Sequence, residues 1–98
     1  MNDQIFNVAI ATKYGLLEAI IIRHLQICLM QKKASRQTKY CGKYLERIDK
    51  CTCSVFFPYA SQIEIDMALE HLCEAQVLEL SNIEDVHTYA FVNEDEWI

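Results

Sequence analysis

The side chains able to do chemistry fall into four groups. Three histidines, His24, His71 and His87, lie far apart, with no serine or cysteine nucleophile motif, glycine loop or metal spacing around them. Cys51-x-Cys53 and His71-x-Cys73 bring thiols and an imidazole close together, but both lack the two-residue spacer typical of zinc sites. The third group is a row at helical spacing, Ile63, Asp66, Met67, Glu70 and Glu74, preceded by Gln62. The fourth is a basic run, Lys32, Lys33, Arg36, Lys39, Lys43, Arg47 and Lys50, interleaved with Tyr40 and Tyr44. The first two groups carry no recognisable reaction, so no enzyme, cofactor or metal is expected. The last two are recognition surfaces: carboxylates for a basic partner, or lysines and aromatics for a phosphate backbone.

These groups divide the chain electrostatically. All nine Lys and Arg residues fall in the first fifty positions, against four acids; the other ten acids follow with no base among them. Such a split speaks about partners and not about fold. The chain has 98 residues, 52% of them apolar, with two glycines and one proline, which describes a single domain with one modest core. The opening Met1-Asn2-Asp3-Gln4 lacks the character of a secretory leader. The apolar stretch 16–30 is interrupted by Glu18, Arg23, His24 and Gln26, too often to span a bilayer. Five cysteines without framework spacing read as reduced thiols. A cytoplasmic protein with no membrane contact is expected.

The elements that must position these groups can be read from caps and periodicity. Asn7 caps a short helix to Tyr14, and Gly15 ends it. A long helix follows over 16–32; it is apolar on nearly every face, so it is either central to the fold or covered by a second copy. Ile22, His24, Ile27 and Leu29 are the residues expected at such a homodimer interface. A turn and short strand are expected over 40–45, and a helix over 48–56 closed by Phe57-Pro58. Ser61 and Glu64 form a capping box that opens a helix to about Ala75, with Ile65, Ala68, Leu69 and Leu72 inward. Strands at 77–80 and 87–92 flank a turn at 81–85, and 93–98 reads as an acidic tail. The order is helix, helix, strand, helix, helix, hairpin: an α+β, mainly α, winged helix-turn-helix over 1–98.

Particular residues carry a family resemblance. Phe6-Asn7-Val8 through Lys13-Tyr14-Gly15, Glu18-Ala19-Ile20-Ile21, Gly42-Lys43-Tyr44 and above all Phe57-Pro58-Tyr59-Ala60-Ser61, followed by Ala68-Leu69 and Leu72, resemble the winged-helix domains of phage replication-initiator or replisome-organiser proteins. The resemblance covers roughly positions 6–92. It implies a mobile-element origin, a recognition helix at about 62–75 and a wing at about 78–92.

The sequence departs from that family where DNA would be touched. The resemblance implies arginine or lysine on the recognition helix and wing; this chain has Asp66, Met67, Glu70 and Glu74 on the helix and Glu84 and Asp85 in the wing turn. DNA binding draws its affinity from cations placed near phosphates, and base reading favours Arg, Lys, Asn or Gln. Of these the helix offers Gln62. The expected site is therefore a protein-binding surface of Gln62, Ile63, Asp66, Met67, Glu70, Glu74, Glu84 and Asp85. Its expected partner is a host protein or nucleoprotein complex with a basic surface, and a DNA-mimicking inhibitor of a defence complex of the CRISPR type fits the description. The alternative is a DNA-binding replication or transcription regulator that uses the basic segment 32–50. Homodimerisation is compatible with either.

Overall fold

The computed structural model describes residues 7–37, 39, 42–83 and 86–98. They form an α+β fold, mainly helical, in the order α1 (Val8–Tyr14), α2 (Leu16–Ala34), β1 (Glu46–Arg47), α3 (Lys50–Phe56), α4 (Gln62–Glu74), β2 (Leu78–Ile83), β3 (Val86–Phe91) and α5 (Glu94–Trp97). The strands make one antiparallel sheet of order β1-β3-β2.

Local chemistry sets the helix ends. The Asn7 side chain accepts from the amides of Ala9 and Ile10 at 2.8 and 3.3 Å, satisfying donors that the first turn leaves unpaired. Gly15, at φ 119°, closes α1 and opens α2. That backbone region disfavours any side chain, and a Cβ there would lie 2.7 Å from the Glu18 carboxylate. Asp49 caps α3 by accepting from Thr52 N at 2.9 Å. The helix therefore starts at Lys50, two residues later than its apolar pattern alone indicates. Phe57 stops it before Pro58 and is fully buried. Ser61 Oγ accepts from Glu64 N at 3.1 Å while Ser61 N donates to Glu64 Oε1 at 2.9 Å, so the expected capping box is complete. Gln76, at φ 60°, turns the chain out of α4 into β2.

The core gathers around α2. Ile21, Ile22, Leu25 and Leu29 are wholly inaccessible and meet Ile65, Leu69 and Leu72 of α4 and Leu78 and Phe91 of the sheet in one cluster. Three elements, α1, α4 and β1, pack on this helix, which explains why it is apolar on more than one face.

Three expectations change. The strand expected at 40–45 is found at Glu46–Arg47, paired to Tyr89 and Thr88; Tyr40 and Cys41 lie outside the described residues. The residues 81–83, expected in a turn, extend β2, because the ladder continues through Ser81↔Thr88, Asn82↔His87 and Ile83↔Val86. The segment 93–98, expected as an acidic tail, carries the short helix α5 and packs back on the domain. Its Trp97 ring stacks on Phe91 at 5.5 Å and 13°, and Gln26 Nε2 donates to the Trp97 carbonyl at 3.0 Å.

The single tryptophan makes folding measurable. Replacing Ser61 by Ala is expected to lower stability by about 1 kcal/mol, with Ser61→Thr retaining most of it. Denaturant unfolding followed by Trp97 fluorescence checks this.

Candidate protein-binding surface

The capping box and inward stripe fix how α4 is rotated. With Ile65, Ala68, Leu69 and Leu72 buried, the opposite side carries Ile63 and Met67 at 71% and 65% exposure, and Asp66, Glu70 and Glu74 also face solvent. Gln62 Nε2 donates to Asp66 Oδ1 at 2.8 Å, one turn along. His71 Nδ1 meets Glu18 Oε2 at 2.7 Å and ties α4 to the start of α2. The structure thus brings together six of the eight residues expected at the site. Glu84 and Asp85 lie outside the described residues.

The basic segment is not laid out as a track. Lys32 pairs with Glu46 at 3.3 Å and reaches the Leu45 carbonyl. Lys39 pairs with Glu94 at 3.8 Å and lies over the Tyr44 ring at 5.0 Å. Lys43 pairs with Glu79 at 2.9 Å and donates to the Val92 carbonyl at 3.0 Å. Arg47 pairs with Asp49 at 3.0 Å, and Lys33 Nζ lies 3.4 Å from the Ile98 carbonyl. Arg36 is exposed just beyond α2, and the Lys50 side chain lies outside the described residues. Exposed pairs of this kind add little stability, but they decide which charge remains outward. Lys32, Lys43 and Lys39 fold onto Glu46, Glu79 and Glu94. Among the described residues, none of Asp66, Glu70 and Glu74 is paired with a lysine or arginine.

The proposed self-association residues separate. Ile22 and Leu29 are fully buried inside the protomer, so they cannot present a surface to a second copy; the domain's own core explains them. Ile27 is 40% exposed. His24 is half-buried against Phe56 and Phe57, with ring centroids 4.5 and 5.4 Å away. Burial lowers its pKa below the ordinary 6.5, opposed by the Glu46 carboxylate. Cys28 Sγ lies 3.7 Å from His24 Nε2, but burial and then Glu46 push this thiol up to about 11. At neutral pH it stays protonated, which is the reverse of an activated nucleophile.

A groove that no single stretch of sequence reveals runs between α4 and the β2–β3 hairpin. Two adjoining hollows of about 400 and 350 Å³ share Asp66, Leu69, His87 and Tyr89. Glu70, Cys73 and Leu80 extend it along the helix; Ile48 and Asp49 lie at the other end. Leu80 sits opposite Tyr89 in the ladder yet is 46% exposed. Burial, with Cys73 and Asp66 nearby, pushes the Tyr89 phenol up to about 12. Burial and then Glu70 raise the Cys73 thiol.

Among the described residues, no three His, Cys, Asp or Glu side chains are grouped to hold a metal ion, and no helix is long and apolar enough to cross a membrane. Comparison with protein-family models, curated proteins and solved structures gives no match.

The lowered pKa of His24 has a signed consequence. The unfolded chain takes up a proton near 6.5, whereas the folded chain resists until lower pH, so this stability is complete above 6.5 and is lost as pH falls through the folded pKa. Urea midpoints of the wild type are expected to drop more than those of His24→Gln between about pH 7.5 and pH 5.5. Parallel curves for the two proteins would contradict the assignment.

Proposed function

We propose that this chain acts by protein–protein binding through the acidic outer face of α4, on a winged-helix frame whose DNA-reading surface has changed sign. The element order, with a two-stranded hairpin following two helices and β1 set against β3, supports the frame. One observation carries the functional reading. Five of the nine cations of the first half, Lys32, Lys33, Lys39, Lys43 and Arg47, are engaged with other acids and carbonyls of the same chain, and among the described residues the exposed carboxylate row of α4 has no lysine or arginine paired to it.

A row of this kind repels a phosphate backbone and attracts the cationic surface that would otherwise hold one. Ile63 and Met67, exposed beside the acids, supply the apolar anchors from which an interface draws its affinity, while the charges govern orientation and association rate. The partner in this reading is a host nucleic-acid-binding protein or nucleoprotein complex, and the chain inhibits it by occupying its nucleic-acid site. A defence complex of the CRISPR type is one such target. DNA binding through segment 32–50 draws less support, because four of its seven cations are held by Glu46, Glu94, Glu79 and Asp49.

The test is affinity capture from nuclease-treated lysate of the native cell, with the wild type beside the double variant D66K/E70K. Both positions are exposed, so the variant is expected to keep its circular dichroism spectrum and urea midpoint. Capture is expected to be abolished, and the captured protein is expected to be displaced by duplex DNA. Undiminished capture by the double variant would refute the reading.

A further inference from the structure

The acidic face of α4 has two sides, and they differ in shape. Outward lie Ile63, Met67 and Glu74, on open helix surface. Toward the hairpin, Asp66 and Glu70 stand over the groove whose floor is Leu69 and Tyr89 and whose far wall is Leu80 and His87. From this difference we infer that the groove is the specificity pocket of the interface and receives an arginine side chain from an extended segment of the partner protein. This rests on the protein-binding reading above.

The commitment to arginine comes from charge and shape together. Asp66 and Glu70 are one helical turn apart, so their Cβ atoms are separated by roughly 5–6 Å; a planar guanidinium with donors on two edges can reach both. Among the described residues, no lysine or arginine lines this part of the groove. At the other end Arg47 already engages Asp49 at 3.0 Å, which leaves the Asp66–Glu70 portion as the acidic end. Leu69 and Leu80 provide an apolar slot for the methylene stem, and the hollow there, about 350 Å³, admits one long side chain with its neighbouring backbone. The Tyr89 ring is buried in the core and closes the floor beneath this slot. An acidic or neutral apolar occupant would leave the two carboxylates without a counter-charge as water is excluded, which is costly.

The experiment is an amide NMR titration of the full chain, at low salt, with an acetylated heptapeptide bearing a central arginine between leucine and glycine. The same peptide with citrulline, which keeps the shape and removes the charge, serves as control. Shifts are expected at Leu69, Cys73, Leu80 and His87, with at least about tenfold weaker binding of the citrulline peptide. Leu80→Lys places a competing cation on the hairpin wall at an exposed position and is expected to weaken the arginine peptide at least about tenfold. Glu70→Gln serves as a second variant with the same expected direction. Equal binding of the two peptides, no shifts, or a doubled particle mass without peptide binding would each overturn the pocket. Shifts confined to Ile63 and Met67 and indifferent to Leu80→Lys would overturn it too, while leaving the acidic-face reading standing. Failure of that broader reading is seen separately, as undiminished capture by D66K/E70K.

Discussion

Everything in this fold leans on the enclosure of α2. A helix whose residues 21, 22, 25 and 29 are completely shielded must be covered on more than one side, and in 98 residues the covering elements can come from few places. Burial of that much apolar area is the dominant favourable term available to so small a domain. It dictates that α4 lies with Ile65, Leu69 and Leu72 inward, that the sheet offers Leu78 and Phe91 from below, and that α5 returns so that Trp97 stacks on Phe91. The outward face of α4 is what remains after these demands are met.

Charge is arranged around that frame and does not create it. In the sequence, a basic half and an acidic half look like two complementary surfaces, which invites a head-to-tail assembly. In the folded chain much of the complementarity is internal: Lys43 reaches across to Glu79, and Lys39 to Glu94. Glu94 also accepts from the Tyr44 amide at 2.8 Å, helping to hold the segment after α2 against α5. Pairing offsets part of the positive charge within the chain, whereas among the described residues the acids of α4 have no lysine or arginine paired to them.

What could be read in advance was whatever is encoded by neighbours in sequence. Asn7 and Gly15 frame α1, and Ser61 with Glu64 opens α4, because a cap needs only the few residues that it satisfies. The row Ile63, Asp66, Met67, Glu70 and Glu74 was legible because helical periodicity alone sorts inward from outward positions. Long-range contacts explain the failures. Ser81-Asn82 looks like a turn by composition, yet pairing with His87 and Thr88 overrides that preference. The segment 93–98 reads as an acidic tail, yet its tryptophan finds Phe91. Ile22 and Leu29 appear surplus until three covering elements are in place. The groove joins positions 66–73 with 80–89, so periodicity within either stretch is blind to it.

The carboxylate row also bears on how such a protein can change. Its helix is held by Ile65, Leu69, Leu72, the Ser61 cap and the His71–Glu18 pair; of the outward side chains, Asp66 accepts from Gln62, and those at 63, 67, 70 and 74 take no part in that support. Surface substitutions free of structural duties alter stability little. Substitutions can therefore accumulate on this display residue by residue while the scaffold beneath it keeps its packing.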